Sequence, residues 1–301
     1  MKALVTGGGG FVGRRLVQRL RDDGHAVVAA LGPGSAAVPG VVAVPLELTH
    51  DGSVSAAVSP GYDVVFHLAA VSSSGDANRS PGVAWEVNAG GTARLAEAVA
   101  ATGARLVLVS TAEVYGEGVG ARGEDCVVAP RSPYAASKFA SEIAAQEVRR
   151  RRGLPLVVVR PFPHTGAGQD ARFVVPAFAA RIRQAARRGE PVVRVGNLDP
   201  VRDFLHVDDV VDAYVRLAAV PGDGSVYNVA SGVGVSIRNI FERLVTLAGA
   251  AVRPVVDPVL VRPADIPELV GDASRLRAAT GWAPRHDLNQ ALREVIGAQT
   301  D

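Results

Sequence analysis

The stretch Lys2-Ala-Leu-Val-Thr-Gly-Gly-Gly-Gly-Phe-Val-Gly13 decides the fold. Residues 2–5 form a short apolar run, the length of one buried strand. Gly7, Gly10 and Gly13 follow in a G-x-x-G-x-x-G spacing. From Phe11 to Leu20 the period changes to that of a helix, with Val12, Leu16, Val17 and Leu20 on one face. Strand, glycine turn and helix together are the context a dinucleotide-binding turn requires. Glycines let the backbone turn tightly and approach a pyrophosphate, whose charge sits at the helix N-terminus. Glycine spacing alone is a weak signal in a chain with 33 glycines, so the flanking strand and helix carry the inference.

Working outward, strand and helix patterns alternate. Ala26 to Ala30, Val41 to Pro45, Val64 to Leu68, Arg105 to Ser110 and Leu156 to Arg160 read as strands two to six. They are rich in Val and Leu without polar alternation, as parallel strands covered on both faces are. Helical stretches run from Val83 to Ala101 and from Pro133 to Arg152. Repeated βα units predict an α/β fold with a doubly wound parallel (Rossmann) sheet. After Pro161 the rhythm breaks. Helices are expected at Val174 to Arg188, Val207 to Ala219, Ile237 to Ala248, Ala273 to Thr280 and Leu288 to Ala298. A short extended piece falls at Val192 to Val195, and Val226 to Val229 returns to the main sheet. The expected division is a dinucleotide-binding domain over residues 1–163, to which 204–230 return, and a smaller interleaved α/β lobe from 164–203 and 231–301.

The 301 residues suffice for a sizeable core. Apolar content of 48% and charged content of 21% are those of an ordinary globular protein. A net charge of +2, with the one basic run Arg149 to Arg152 closing a helix, gives no nucleic-acid surface. The single Cys126 excludes an internal disulfide and a cysteine zinc site, and the six histidines show no ligand spacing, so no metal is expected. No apolar run reaches the ~18 residues of a membrane span. With a strand pattern starting at residue 2 in place of a signal peptide, a cytoplasmic protein is expected.

The second ligand-facing pattern is Tyr134-Ala-Ala-Ser-Lys138, which puts a phenol and an ammonium on one face of a helix. Lys2 and Lys138 are the only lysines among 32 basic residues. In so arginine-biased a chain, a lysine at this spacing marks a place where a compact ammonium serves and a planar guanidinium does not. Strand five ends in Ser110-Thr111-Ala112-Glu113, which puts hydroxyls at the carboxyl end of the sheet, where such folds bind ligands. A nearby Lys+ favours phenolate and brings the phenol, ordinarily titrating at about 10, toward neutrality. Tyr134 then exchanges a proton with a substrate oxygen that Thr111 orients. Strand two ends Ala29-Ala30-Leu31-Gly32 with no acid to hold a ribose, so NAD(H) and NADP(H) both stay open. Arg14 and Arg15 either meet a 2′-phosphate or face solvent. Glu47 and Leu48 are placed to touch adenine.

These motifs, with His67-Leu68-Ala69-Ala70 and Asn88 in Val-Asn-Ala-Gly-Gly-Thr, resemble an extended short-chain dehydrogenase/reductase over nearly the whole chain. Arg160-Pro-Phe-Pro-His-Thr-Gly-Ala-Gly-Gln169, Phe173-Val174-Val-Pro176, the run from Val195 to Phe204, Arg262-Pro-Ala-Asp265 and Gly271 to Trp282 resemble the nucleotide-sugar branch, most of all its GDP-6-deoxy-4-keto-mannose reductases. The resemblance implies Thr111, Tyr134 and Lys138 as catalytic residues. It implies cofactor contacts from Gly7, Gly10, Phe11, Val12, Gly13, Arg14, Glu47, Leu48, Leu68, Ala69, Ala70, Asn88, Tyr134, Lys138 and Pro161. It implies substrate contacts from Ser72, Glu113, Phe173, Val174, Arg202, Arg262 and Asp265, the arginines on the pyrophosphate and Asp265 on a ribose hydroxyl. A homodimer through the helices at Val83 to Ala101 and Pro133 to Arg152 is implied too.

Two departures stand out. Pro163 replaces an asparagine of the family pattern and offers no donor. Ala112 stands where dehydratases carry an acidic or hydroxyl residue beside the glutamate, which disfavours water elimination. The expected activity is NAD(P)H-dependent reduction of the C4 ketone of a nucleotide-linked 4-keto-6-deoxyhexose. A 4-epimerase with tightly held NAD is the alternative, with a 4,6-dehydratase or a non-catalytic dinucleotide sensor further behind.

Overall fold

A computed structural model describes residues 1–261 and 266–298. Its first half is strand and helix in alternation: β1 (Lys2–Thr6), α1 (Phe11–Asp22), β2 (Ala26–Leu31), β3 (Val42–Pro45), α2 (Asp51–Ala57), β4 (Val64–His67), α3 (Ser74–Arg79), α4 (Pro81–Ala84), α5 (Gly91–Thr102), β5 (Arg105–Val109), α6 (Pro133–Arg152) and β6 (Leu156–Pro161). Then come β7 (His164–Thr165), α7 (Val174–Arg188), β8 (Val192–Val195), β9 (Val201–Asp203), β10 (Leu205–His206), α8 (Val207–Leu217) and β11 (Asp223–Val229). The remainder is β12 (Gly234–Ser236), α9 (Ile237–Leu247), β13 (Arg253–Val256), β14 (Glu268–Leu269), α10 (Ser274–Thr280) and α11 (Leu288–Gly297).

The central sheet has seven parallel strands in the order β11-β6-β5-β4-β1-β2-β3. The doubly wound α/β architecture expected from the apolar strands is the one observed. The chain moves from β1 outward to β3, then back to β4 on the other side of β1. The crevice at that reversal, beyond the carboxyl ends of β1 and β4, is where such sheets take ligands. One apolar cluster joins the sheet to α1, α8 and α10, and another joins it to α2, α5 and α6. A third is separate and packs α7, β8, α9 and α11 together. Ile266, Leu269, Leu276 and Trp282 belong to the first of these clusters rather than the third.

Helix α6 shows why the sequence was readable. Ser132 caps it by accepting from the Ala135 N–H at 3.1 Å, Pro133 opens it, and Gly153 closes it at φ 72°. The single helix expected from Val83 to Ala101 is instead three pieces. Between α4 and α5, residues Trp85–Gly90 form a π-helical turn. A π-turn holds an extra residue and is commonly placed where a side chain must be re-aimed. Here that side chain is Asn88. Its Oδ1 accepts from the Val71 N–H (2.8 Å), while its Nδ2 donates to the Val71 carbonyl (3.2 Å) and to Ser137 Oγ (2.9 Å).

Candidate active site

The glycine turn is built by close approach. Gly7 sits at φ 69°, a conformation that side chains disfavour. A Cβ on Gly13 would lie 2.1 Å from the Gly7 carbonyl oxygen, so α1 packs onto the end of β1 only because position 13 carries none. Gly10 caps α1 without a side-chain bond. The first-turn N–H groups of the helix are therefore directed at the crevice rather than capped. Arg14 lies exposed at this rim. Arg15 is committed elsewhere: its guanidinium donates to Asp208 Oδ1 and to the Ala167 carbonyl, both at 2.8 Å. Of the two arginines weighed for a 2′-phosphate, only Arg14 lines the cleft.

Behind the turn lies a buried polar chain. Thr6 Oγ1 accepts the N–H groups of Leu68 (3.2 Å) and Ala69 (3.1 Å), so its own proton goes to His67 Nδ1 at 2.8 Å. His67 Nε2 then donates to Thr92 Oγ1 at 3.0 Å, which fixes the tautomer. Burial, with the Lys138 charge adding to it, brings this imidazole down to about 3, so it stays neutral.

A cleft of about 960 Å3, near the top of the ~300–1,000 Å3 range of ligand sites, runs from the glycine turn past the ends of β4, β5 and β6. Thr111, Tyr134, Lys138 and Glu113 meet in it. Thr111 hydrogen-bonds the Tyr134 phenol. Ser74 Oγ donates to the Glu113 carboxylate at 3.1 and 3.3 Å. The phenol is pushed up from its ordinary value, chiefly by burial and then by the Glu113 charge, with the Thr111 bond opposing. This corrects the expectation that Lys138 draws it toward neutrality. The Lys138 ammonium donates to the Val109 carbonyl, and burial brings it down to about 8 against the opposing Glu142 charge. Tyr134 is thus a protonated phenol at neutral pH.

One helical turn on from Lys138 lies a buried salt bridge that sequence reading missed. Glu142 takes Arg160 Nε at 3.0 Å and Nη2 at 2.7 Å, with both side chains 5% exposed, and Ser110 Oγ also donates to it. Arg160 lies 4.9 Å over the Tyr115 ring, whose hydroxyl donates to Asn228 Oδ1 at 2.7 Å. The only available signal was Arg160 closing a strand of otherwise apolar residues. A polar group there requires a buried partner.

The cofactor-end residues Gly7, Gly10, Phe11, Val12, Gly13, Leu68, Ala70 and Pro161 all line the cleft. Ala69 sits just behind, its N–H 2.9 Å from where a Gly7 Cβ would be. Asn88 is 1% exposed and spends its amide on Val71 and Ser137, so it shapes the wall from behind. Glu47 is half-buried and binds the Thr49 hydroxyl at 2.9 Å, and Leu48 is core. Neither belongs to the cleft lining.

Ser72, in the loop after β4, also lines the cleft, as do Phe173, Val174 and Arg202 of the lobe, where Arg202 also donates to the Val201 carbonyl at 2.8 Å. Arg262 and Asp265 lie outside the described residues. Arg172 bridges the mouth to Asp76 of α3 at 2.6 Å. Asp203 of the motif that carries Arg202 is fully buried, accepting from the N–H groups of Ser231, Gly232 and Gly271 at 2.9–3.2 Å. It ties loops together behind the wall. Burial pushes its carboxyl up against those bonds.

The fold also gathers histidines that looked scattered. His206 and His286 stack at 4.4 Å with 23° between their planes, near Asp208. Three of their four nitrogens are engaged with protein: His206 Nδ1 accepts the Asp208 N–H (3.1 Å), its Nε2 meets Glu294 (3.0 Å), and His286 Nδ1 meets Asp209 (2.8 Å). Stacked rings cannot both direct a lone pair at one ion.

Comparison with known proteins follows this geometry. Residues 3–230 match the NAD dependent epimerase/dehydratase family. The chain is 34% identical over 98% of its length, and 96% of the relative's, to a GDP-6-deoxy-D-mannose reductase of Pseudomonas aeruginosa. Among solved structures, RMD from Pseudomonas aeruginosa complexed with NADPH superposes with a TM-score of 0.83 at 32% identity, covering 99% of this chain and 98% of that one. A UDP-glucose 4-epimerase of Thermus thermophilus in complex with NAD does so at 0.86 and 30% identity, with 99% and 98% covered. Similarity of this extent, with the glycine turn at one end of the cleft and the Tyr134–Lys138 pair in its middle, makes the chain a member of the NAD dependent epimerase/dehydratase family, the extended short-chain dehydrogenase/reductases.

Proposed function

We propose that the protein reduces the C4 ketone of a nucleotide-linked 4-keto-6-deoxyhexose at the expense of NADPH or NADH. One observation carries the reading: the half-buried Tyr134 phenol stands at Thr111 in a cleft that continues from the glycine turn. A proton donor beside an orienting hydroxyl is what ketone reduction needs. The likeness over 98% of the chain to a GDP-6-deoxy-D-mannose reductase supports the substrate class.

The glycine turn fits a dinucleotide, because the missing Cβ at position 13 lets α1 pack onto the end of β1 with its uncapped first-turn N–H groups at the cleft. Gly7, Gly10, Phe11, Val12 and Gly13 hold the pyrophosphate end, Arg14 the adenosine end, and Leu68, Ala70 and Pro161 the wall. A nicotinamide bound there supplies a hydride. Thr111 donates to the ketone oxygen and fixes its orientation. Tyr134 gives that oxygen its proton as the carbon is reduced, which turns C=O into CH–OH with one hydride and one proton consumed. Lys138, charged below about pH 8, offsets the phenolate left behind and binds the nicotinamide ribose. Ser72 and, from the lobe, Phe173, Val174 and Arg202 receive the nucleotide sugar, with Arg202 on the pyrophosphate.

A second reading, 4-epimerisation with retained NAD, draws on the likeness to UDP-glucose 4-epimerase and on the same three residues. Dehydration is disfavoured by the buried Ala112 beside Glu113. The deciding experiment mixes purified protein with NADPH or NADH and GDP-4-keto-6-deoxymannose, then the UDP- and dTDP-4-keto-6-deoxyglucoses. Stoichiometric cofactor oxidation with one of them is the expected result. No oxidation, together with interconversion of 4-epimeric nucleotide sugars, overturns reduction in favour of epimerisation.

The proposal extends to a cytoplasmic homodimer. Val83 of α4, Trp85 of the π-turn and Ile143 of α6 are 51%, 45% and 53% exposed, apolar side chains suited to a second copy. Sedimentation at twice 31.1 kDa is expected, and a monomer refutes it.

A further inference from the structure

His164 lies on β7, just past the end of β6, and lines the cleft that holds Tyr134. Its Nδ1 is 2.9 Å from the Phe162 carbonyl oxygen. A carbonyl only accepts, so Nδ1 carries the proton and Nε2 is left as a lone-pair acceptor. Among the described residues Nε2 has no hydrogen-bond partner, yet it is not sealed in the protein interior. Burial draws the imidazole below its ordinary value, which keeps the neutral form at physiological pH.

The frame around the ring is rigid. The Pro163 carbonyl accepts from the Leu205 N–H at 2.9 Å, which pairs β7 with β10. Gln169 Nε2 donates to the His164 carbonyl at 3.1 Å, and Thr165 Oγ1 donates to Gln169 Oε1 at 2.7 Å. Its neighbours Phe162 and Pro163 bring no side-chain polar group, and Pro163 lacks an N–H as well. This stretch of wall therefore presents one fixed acceptor in apolar surroundings. Such a site holds a hydroxyl and rejects a ligand that lacks one.

The course of the chain says which ligand. β7 leaves the end of β6, pairs with β10 outside the seven-stranded sheet, and runs on through Gln169 to Phe173 and Val174, which line the same cleft and are its substrate side in the proposed reading. We infer that Nε2 of His164 accepts a hydrogen bond from a sugar hydroxyl of the nucleotide-linked substrate and so sets which sugars enter. The inference rests on the proposed reductase reading and adds a specificity residue to it.

The experiment compares wild type, H164F and H164Q with the keto-sugar nucleotide that the protein turns over, and with its deoxy analogues, each lacking one sugar hydroxyl. H164F is expected to raise KM about tenfold, equivalent to about 1.4 kcal/mol, with kcat and the Kd for NADPH within about twofold, in keeping with one hydrogen bond. Gln keeps an acceptor and is expected to recover most of the loss. In wild type one deoxy analogue alone shows the same tenfold rise, and in H164F it shows none. The inference falls if no deoxy analogue is weakened in wild type, a result that needs no variant to fold. It falls also if H164F loses NADPH affinity instead, which would make the nicotinamide carboxamide the donor. If no ketone is turned over, the reductase reading is what fails. Calorimetric titration of the corresponding nucleotide-linked alcohol and its deoxy forms then tests His164 alone.

Discussion

The two walls of the cleft are built on opposite principles. On the sheet side Thr6, His67, Asn88, Ser110, Lys138 and Glu142 are at most 4% exposed, and each is locked to a partner inside the protein. On the lobe side Gly168, Asp170, Ala171, Arg172 and Asn197 are exposed, and the main link across the mouth is the Arg172–Asp76 ion pair. Exposed pairs of this kind contribute at most about 1 kcal/mol. The first wall is organised before any ligand arrives, and the second rests on exposed contacts that hold it less tightly. A constant cofactor and a variable sugar call for that division: preorganisation serves the partner that never changes.

The contrast is broken or sharpened by substitution. The largest effect is expected for Tyr134→Phe, which removes the proton donor without enlarging the cavity. Turnover should fall about 10²- to 10⁴-fold while NADPH affinity, read by fluorescence titration, holds. Retained turnover would assign the proton to another group. Next is Gly13→Ala on the rigid wall. Its Cβ, 2.1 Å from the Gly7 carbonyl oxygen, forces backbone to move. A cost of about 1–3 kcal/mol should appear as weaker NADPH binding by roughly tenfold to a hundredfold. The smallest is Gly168→Ala on the other wall, where φ is 82° and nothing lies within 4 Å of the added methyl. Only conformational strain of about 1–2 kcal/mol is expected, seen as a lower Tm with NADPH affinity unchanged. Equal effects of the two alanines on NADPH binding would erase the distinction between the walls.

What could be read in the sequence follows the same division. The glycine turn, the β1–β6 strands, α6 and the Tyr134–Lys138 spacing are local patterns, written within one element or one turn of helix. What the sequence did not show has several causes, most of them long-range. Arg15 stayed open between a 2′-phosphate and solvent because its partners, Asp208 and Ala167, lie more than 150 residues away. Asn88 looked like a cofactor ligand because the π-turn that carries it resembles ordinary helix in the sequence. The Glu142–Arg160 pair crosses from α6 to β6, and neither residue's surroundings announce the other. The phenol of Tyr134 is governed first by burial and then by Glu113, which belongs to a different segment from the lysine that sequence placed beside it.

The contact at Gly13 has a consequence for how the gene can drift. Every amino-acid change reachable from a glycine codon by one base substitution introduces a side chain, so each one puts a Cβ against the Gly7 carbonyl. At Gly82, which has open space around it, the same mutations meet nothing. The two codons are equally exposed to replication error, yet only one of them is free to record it. The glycine turn is consequently a part of this protein with few neighbouring sequences that still fold around a nucleotide.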